Sequence, residues 1–225
     1  MPKGLEIYDI DSVSSVVVPT PILRIVHINN LSTIIKNGVL CAKNHAPSNQ
    51  AYEPIHDEGV QGYRGTFAMP VDHLSDCPST CLHDYVPFYF GPRSPMLYVN
   101  SKRGIQSEIV YLVLCAQDFE SPTMPLFLFS DGQANKKFTA FFDDLKDLDK
   151  LDWKAIYAMY WQDTRDDGDI KRRKQAEFLV YQKCPFALVR RIITCDNTMR
   201  ERVSGILQNS SFANIPIEVV PSWYY

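Results

Sequence analysis

Apolar runs of strand length mark out most of the regular structure in this chain. The clearest is Ile109–Cys115, an unbroken apolar run that is typical of a buried strand. The same kind of pattern predicts strands at Ile22–His27, Val39–Ala42, Leu126–Phe129, Glu177–Tyr181, Arg191–Thr194 and Ile217–Val220. Short strands are mixed with helices in no regular βαβ order, so the pattern favours an α+β fold over a doubly wound sheet.

Helical periodicity and capping residues predict four helices. The first is capped by Asn29 or Asn30, runs to about Lys36 and stops at Gly38. The other three are predicted at Phe138–Leu145, Leu151–Trp161 and Thr198–Leu207. Residues 43–82 form a long polar stretch without periodicity, and such a loop in a compact domain is usually functional or mobile.

Length and composition place the chain among ordinary globular proteins. With 225 residues and 45% hydrophobic residues, we expect a single domain over residues 1–225, with residues 1–20 as a loosely held leader. The N-terminus lacks a signal-peptide core and no window resembles a transmembrane span, so we expect a cytoplasmic monomer with no membrane partner. The net charge of −3 argues against a broad basic face for duplex DNA, but not against a short single strand.

The cysteines raise the question of a metal site. Cys77 and Cys81 lie near His73 and His83, a grouping that can ligate zinc. There is no second closely spaced cysteine pair, and Pro78 lies between the two thiols. We therefore predict no metal, and in a cytosolic chain all six cysteines read as reduced thiols.

The segment His83–Tyr98 combines aromatic rings with prolines. Three prolines exclude one regular helix and argue against a central strand, whereas an ordinary loop would be more polar. Two interpretations remain open. The segment is either a rigid wall on which a flat ring stacks, or a proline-bent strand that fills the core.

A basic run, Lys171-Arg172-Arg173-Lys174, leads into the strand that Glu177 opens. A carboxylate at the mouth of so apolar a strand is costly unless it is paired or used in chemistry. The simpler interpretation is that Glu177 ends the strand and pairs with Lys174 or Arg173, and that the run is a solvated turn. The functional interpretation makes Glu177 a catalytic carboxylate beside a phosphate-binding run.

Two further residues have both a plain and a functional interpretation. His27 ends the first strand, where it either caps the helix or presents a ring nitrogen to a ligand. Arg64 lies between glycines in the long loop, where it is either solvated or bound to a phosphate or carboxylate. The phosphate-binding sequences GxGxxG and GxxxxGK[ST] do not occur, which removes the Rossmann and P-loop routes to nucleotide binding.

Four blocks of sequence together resemble the DarT family of toxins, which ADP-ribosylate DNA. They are Ile22–Leu31, the block Leu82–Phe90 with Pro92–Leu97, Leu151–Trp153 and Gln175–Glu177, and they occur in the family's order. The closing Ser222–Tyr225 is also similar to family C-termini, so the resemblance covers roughly residues 20–225.

The resemblance implies an ADP-ribosyltransferase fold, with two small packed sheets around an NAD cleft and flanking helices. It implies transfer of ADP-ribose from NAD to a base in single-stranded DNA, with thymine the closer match, and release of nicotinamide. It also implies a macrodomain antitoxin as a partner. Two alternatives stay open: an NAD glycohydrolase, or a non-catalytic module that binds single-stranded nucleic acid. A protein-modifying transferase is a third.

The resemblance also assigns residues. Glu177 and Arg64 match the catalytic glutamate and the essential loop arginine. The expected NAD contacts are His27, Asn30, Tyr85, Phe88 and Tyr89. The expected DNA contacts are Arg93, Met96, Gln133, Lys171, Arg172, Arg173 and Lys174. Gln133 is a departure, because the family often has a histidine there, and an amide can hydrogen-bond a base edge but cannot relay a proton.

Overall fold

A computed structural model describes residues 13–47, 52–74 and 77–225. The strands in these residues are β1 Pro21–His27, β2 Val39–Cys41, β3 Tyr85–Tyr89, β4 Ile109–Cys115, β5 Phe127–Ser130, β6 Phe141–Phe142, β7 Glu177–Tyr181, β8 Lys183–Pro185, β9 Arg191–Thr194 and β10 Ile217–Val219. The helices are α1 Ile28–Asn37, α2 Glu58–Thr66, α3 Pro95–Lys102, α4 Trp153–Tyr157, α5 Ile170–Arg173 and α6 Asn197–Leu207. The predicted α+β class is confirmed.

The large sheet has the strand order β10-β9-β4-β1-β3-β7-β5-β6, and β2 and β8 form a separate two-stranded sheet. Strand β1 pairs with β4 along its whole length, and β3 pairs with β7 along its whole length. By contrast, β1 meets β3 at one register pair only, Leu23 opposite Tyr89. The large sheet therefore consists of two four-stranded halves joined at one point, and the expected pair of packed sheets takes this fused form.

Strand β3 is internal to the sheet although it contains Pro87. In a strand, the N–H and C=O of one residue point to the same side. The carbonyl of Pro87 accepts a hydrogen bond from the Arg24 guanidinium of β1 at 2.8 Å, so that side of Pro87 faces the gap between the two halves. The missing N–H of proline therefore costs no ladder bond, and the sequence argument against a central strand was wrong for this reason.

Three predicted elements differ from the structure. The predicted helix Phe138–Leu145 is wrong, because Phe141 pairs with Ser130 and the segment adds strand β6 to the sheet. The predicted helix Leu151–Trp161 shrinks to α4. The polar stretch 43–82 contains α2, whose N-cap Asp57 accepts a hydrogen bond from the Val60 amide at 3.0 Å.

The expected leader, residues 1–20, falls mostly outside the described residues. Its described end is not loose, because Val13 and Val17 are both 8% exposed and belong to the main core cluster. The described part of the chain contains no helix of the length and hydrophobicity needed to cross a membrane.

Candidate active site

Glu177 is the first residue of β7 and lies beside the point where the two halves of the sheet join. It is 4% exposed, and its register partner is Tyr89, the β3 residue that makes the single contact with β1. One carboxylate oxygen, Oε1, accepts hydrogen bonds from Arg64 Nη1 at 2.9 Å and from the Ala134 amide at 3.0 Å. The glutamate is thus buried, ionically paired and held in one orientation.

Arg64 reaches Glu177 from the last turn of α2. The side chain is 7% exposed; burial disfavours its charge, but the Glu177 carboxylate outweighs burial and raises the pKa of Arg64. Its buried Nη2 has no hydrogen-bond partner among the described residues, so the guanidinium keeps an unused donor. A Cβ at Gly65 would lie 2.8 Å from the His83 ring, so a glycine is needed where α2 approaches the segment before β3. The pairing with Lys174 or Arg173 that the sequence favoured for Glu177 is therefore wrong.

The third partner of Glu177 is a backbone amide that the sequence did not reveal. Residues 131–140, here called the 131–140 loop, connect β5 to β6 and carry the Ala134 N–H. Ser130 fixes the start of this loop, because its hydroxyl accepts from the Glu177 amide at 3.2 Å and donates to the Gly132 carbonyl at 2.7 Å. The Ser-Asp-Gly turn signal after β5 was the only sequence hint of this arrangement.

Arg172 anchors the 131–140 loop from below. Its guanidinium binds Asp131 at 2.8 Å and Asp169 at 2.8 Å, and also reaches the Thr139 hydroxyl at 3.3 Å. Its carbonyl accepts from the Gln133 amide at 2.9 Å. The carboxylates and hydrogen bonds use up this cation, which corrects the expectation that Arg172 binds DNA phosphate.

The rest of the basic run divides in the same way. Arg173 pairs with Asp152 at 2.5 Å and also with Asp167. Lys174 is 2% exposed, and its ammonium donates to the carbonyls of Ile156 and Ala158. Both are internal ties, so the structure contradicts their expected DNA contacts. Lys171 is exposed, and its DNA contact stays a prediction.

The aromatic segment divides between the core and the cleft. Phe88 is 1% exposed in the main core, and Tyr85 is 1% exposed in a smaller cluster that the 69–82 segment covers. Both are corrections, because neither ring is open to a cofactor. Tyr89 is partly exposed and lies within electrostatic reach of Glu177 and Arg64, so it remains the expected ring contact.

His27 and Asn30 are buried at the start of α1. The His27 Nδ1 accepts from the Asn29 amide at 3.3 Å, which makes His27 the N-cap and shows that the plain interpretation was correct as far as it went. Its Nε2 lies 3.5 Å from carboxylate oxygens of both Glu53 and Glu108. The Asn30 amide exchanges two hydrogen bonds of 2.8 Å with the backbone of Glu53. Asn30 thereby fixes the neighbouring loop, and direct NAD contacts of both residues stay predictions.

Three expected DNA contacts are only partly buried. Arg93 stacks on the Tyr225 ring at 4.1 Å and donates to the Tyr224 carbonyl, so the C-terminal segment holds its guanidinium. Met96 packs beside the second core cluster, and Gln133 lies 3.4 Å from the Gln175 amide nitrogen. The DNA contacts of Arg93, Met96 and Gln133 stay predictions.

Sequence reasoning missed a set of positive groups around the gap between the half-sheets. Burial lowers the pKa of His56, and the charges of Lys43 and Arg24 lower it further. Burial also lowers the pKa of His83, with Lys43 and Arg64 adding to the effect. The shared influence of these cations indicates a positive potential where a pyrophosphate would need one.

The described residues contain no group of three or more His, Cys, Asp or Glu side chains arranged to hold a metal ion. Within the expected zinc grouping, the Cys77 thiol instead donates to the Ser79 carbonyl at 3.2 Å, and His73 lies 3.0 Å from the Phe141 carbonyl.

A split sheet with a strand-borne glutamate at the split is the arrangement of an ADP-ribosyltransferase. The family model described as "ssDNA thymidine ADP-ribosyltransferase, DarT" matches residues 23–225. The chain belongs to the DarT family.

Individual relatives agree with this assignment. A DNA ADP-ribosyl transferase from Thermus sp. (strain 2.9) is 38% identical over 92% of this chain and 97% of its own. Structures of Thermus sp. 2.9 DarT with ADP-ribosylated ssDNA and with NAD+ match at TM-scores of 0.84 and 0.78, cover 95% and 94% of this chain, and span all of theirs at 36% and 35% identity. A Thermosipho africanus protein, 24% identical over 89% of this chain and 48% of its own, is named as a fusion of a DNA ADP-ribosyl transferase with a DNA ADP-ribosyl glycohydrolase.

Proposed function

We propose that this protein transfers ADP-ribose from NAD to a base, expected to be thymine, in single-stranded DNA and releases nicotinamide. The observation that carries the proposal is the buried Glu177, held by Arg64 and the Ala134 amide at the split of the sheet. The Thermus relative, solved with NAD+ and with ADP-ribosylated ssDNA, supports the same substrates for this chain.

The chemistry follows from the charges that develop. The bond between the ribose carbon and the nicotinamide nitrogen breaks, the bonding pair leaves with nicotinamide, and the sugar gains oxocarbenium character. Glu177 stabilises this positive charge and holds a ribose hydroxyl. Removing one preorganised electrostatic partner of this kind typically costs about 10²–10³ in rate. A base atom then bonds to the ribose carbon, and the base loses a proton.

Arg64 and Tyr89 complete the proposed site. The unused Nη2 donor of Arg64 is available to a pyrophosphate oxygen or to the negative charge on the attacked base. A guanidinium stays protonated, so Arg64 acts as an electrostatic partner and not as the proton acceptor. Tyr89 supplies a partly exposed ring beside Glu177 for a flat ring to stack on.

Mass spectrometry of homopolymer oligonucleotides incubated with NAD tests the proposal. We expect one ADP-ribose added per modified site on oligothymidylate, and no addition by a Glu177→Gln variant. Nicotinamide release that needs no DNA would instead identify an NAD glycohydrolase. Oligonucleotide binding without any NAD consumption would identify a binding module, and a labelled protein with unlabelled DNA a protein-modifying transferase.

We also propose that residues 1–225 act as one domain and as a cytoplasmic monomer, which light scattering and fractionation of the native host would test. A macrodomain antitoxin is the expected partner. The Thermosipho fusion supports it, because it joins a transferase to a DNA ADP-ribosyl glycohydrolase in one chain. Removal of the label from modified DNA by the product of an adjacent gene would test this pairing.

A further inference from the structure

An aromatic side chain stands free at the tip of the 131–140 loop. Phe138 is 91% exposed, the highest value among the large hydrophobic residues of the described chain. An exposed phenyl ring gains nothing from the fold, since the hydrophobic effect favours burial by about 1.5–3 kcal/mol. Such a residue needs a reason in binding.

The loop that presents Phe138 is firmly tied at both ends. The Thr139 hydroxyl donates to the Gln133 carbonyl at 2.8 Å, and the Ala140 amide donates to the Asp131 carboxylate at 2.9 Å. Arg172 binds Asp131 and Thr139 from the other side. The ring is therefore displayed by an ordered turn, which lowers the entropy lost when something stacks on it.

Charge next to the ring indicates the kind of partner. Lys136 and Lys137 immediately precede Phe138 and are exposed, and neither forms an ion pair within the described ranges. A ring flanked by unpaired cations suits a nucleic-acid strand, where bases stack on aromatic faces and phosphates attract lysines. It does not suit an apolar protein groove, which would require the two ammonium groups to lose their hydration.

The same loop places Phe138 near the reacting base. Ala134, which binds Glu177, is four residues before Phe138, so their Cα atoms are at most about 14 Å apart. At about 3.4 Å per nucleotide of stacked strand, this distance spans no more than about four nucleotides.

We propose that Phe138 is a stacking platform for one base of the single-stranded substrate, within a few nucleotides of the modified base. Lys136 and Lys137 bind the phosphates on either side of that nucleotide. The platform sets where the strand lies relative to Glu177 and so contributes to the choice of target position. This inference rests on the proposed function and names a substrate contact for it.

Fluorescence anisotropy with labelled oligonucleotides, together with steady-state labelling, tests the platform. We expect Phe138→Ala to weaken DNA binding and to raise the KM for DNA by about 5- to 100-fold. The KM for NAD should not change. Phe138→Trp should restore binding, because it keeps a ring. Val18→Ala, which trims an apolar side chain that is 70% exposed elsewhere, is the matched control and should behave as wild type.

An abasic scan identifies the nucleotide. Bases near the target are replaced one at a time by an abasic sugar, and binding is measured for wild type and Phe138→Ala. One position should weaken wild type but cause no further loss in Phe138→Ala. Lys136→Gln with Lys137→Gln should flatten the salt dependence of log K by about 1.4, at 0.7 per phosphate of single-stranded DNA.

Equal DNA affinity in wild type and Phe138→Ala would overturn the platform, and so would equal losses at every abasic position. A variant that loses a protein partner but no DNA affinity would also overturn it. If wild type labels no oligonucleotide at all, the proposed function fails. The anisotropy arm still decides the platform, since binding is measured without NAD.

Discussion

Tyr89 of β3 and Glu177 of β7 are register partners, and Tyr89 is also the residue through which β3 contacts β1. Burial and the charge of Glu177 raise the pKa of Tyr89, so the phenol stays neutral at physiological pH. A neutral ring that touches the carboxylate strand on one side and the other half-sheet on the other defines the centre of the cleft.

Replacing Tyr89 tests whether its ring binds NAD. Tyr89→Ala should weaken NAD binding by about 3- to 10-fold, the usual worth of one aromatic pair. Tyr89→Phe keeps the ring and should lose much less. Calorimetric titration with NAD measures both, and unchanged affinity in Tyr89→Ala would remove Tyr89 from the site.

Phe88, next in the chain, should behave in the opposite way. Its ring lies in the main core, so Phe88→Ala should lower the free energy of unfolding by about 3–5 kcal/mol. The milder Phe88→Leu should keep the protein folded and leave the KM for NAD unchanged. Chemical denaturation and steady-state kinetics make the comparison. A KM effect in Phe88→Leu without a stability effect would show that the ring contacts the cofactor.

Breaking the Arg64–Glu177 pair should be costly on both sides. Arg64→Ala leaves a buried carboxylate with only the Ala134 amide, and should lower the free energy of unfolding by about 3–5 kcal/mol as well as abolish transfer. Adding Glu177→Gln should recover part of the stability but none of the activity. Denaturation of the two single variants and the double variant measures the coupling. Additive losses would show that the pair is not coupled.

Arg172 should act on catalysis through the 131–140 loop. Arg172→Ala releases Asp131 and Thr139, and with them the position of the Ala134 amide. We expect kcat to fall by about 10-fold or more, as for a misplaced catalytic group, with little change in the KM for NAD. Arg172→Lys keeps the charge but loses the fork and should fall between. A change in the KM for NAD alone would place Arg172 in cofactor binding instead.

Lys174 should make stability depend on pH. Burial lowers the pKa of Lys174 to about 7, against 10.5 for an exposed lysine. Between these values the unfolded chain holds a proton that the folded chain has released, so raising the pH stabilises the folded state, by at most about 1.4 kcal/mol per unit. Lys174→Met should lose this contribution, and the exposed Lys171→Met should not. Denaturation from pH 6.5 to 9.5 tests it; parallel profiles for wild type and Lys174→Met would contradict it.

The strands were predictable because their signal is local. Ile109–Cys115, Glu177–Tyr181 and Arg191–Thr194 were predicted with the bounds that the structure gives them. Gly38 ends α1 in the left-handed conformation, as its type predicted. The helix predicted at 138–145 failed, because pairing of Phe141 with β5 is a tertiary contact that periodicity cannot register.

The site was harder to predict because its partners are distant in sequence. Arg64 and Glu177 are far apart in the chain, and without the family resemblance Arg64 was one loop arginine among several. The Ala134 contribution is a backbone amide, which no side-chain pattern encodes. The basic run misled for a physical reason. A cluster of cations reads the same whether it meets phosphate or, as Arg172 and Arg173 do, internal aspartates.

The proline at the middle of β3 has a consequence for solubility. Where two half-sheets part, each presents an inner edge of backbone groups, and a bare edge recruits strands from other molecules. At Pro87 that edge has no N–H to offer, and the Arg24 guanidinium already occupies the carbonyl. The residue that seemed to forbid a central strand thus keeps an open cleft from templating aggregation while it waits for substrate.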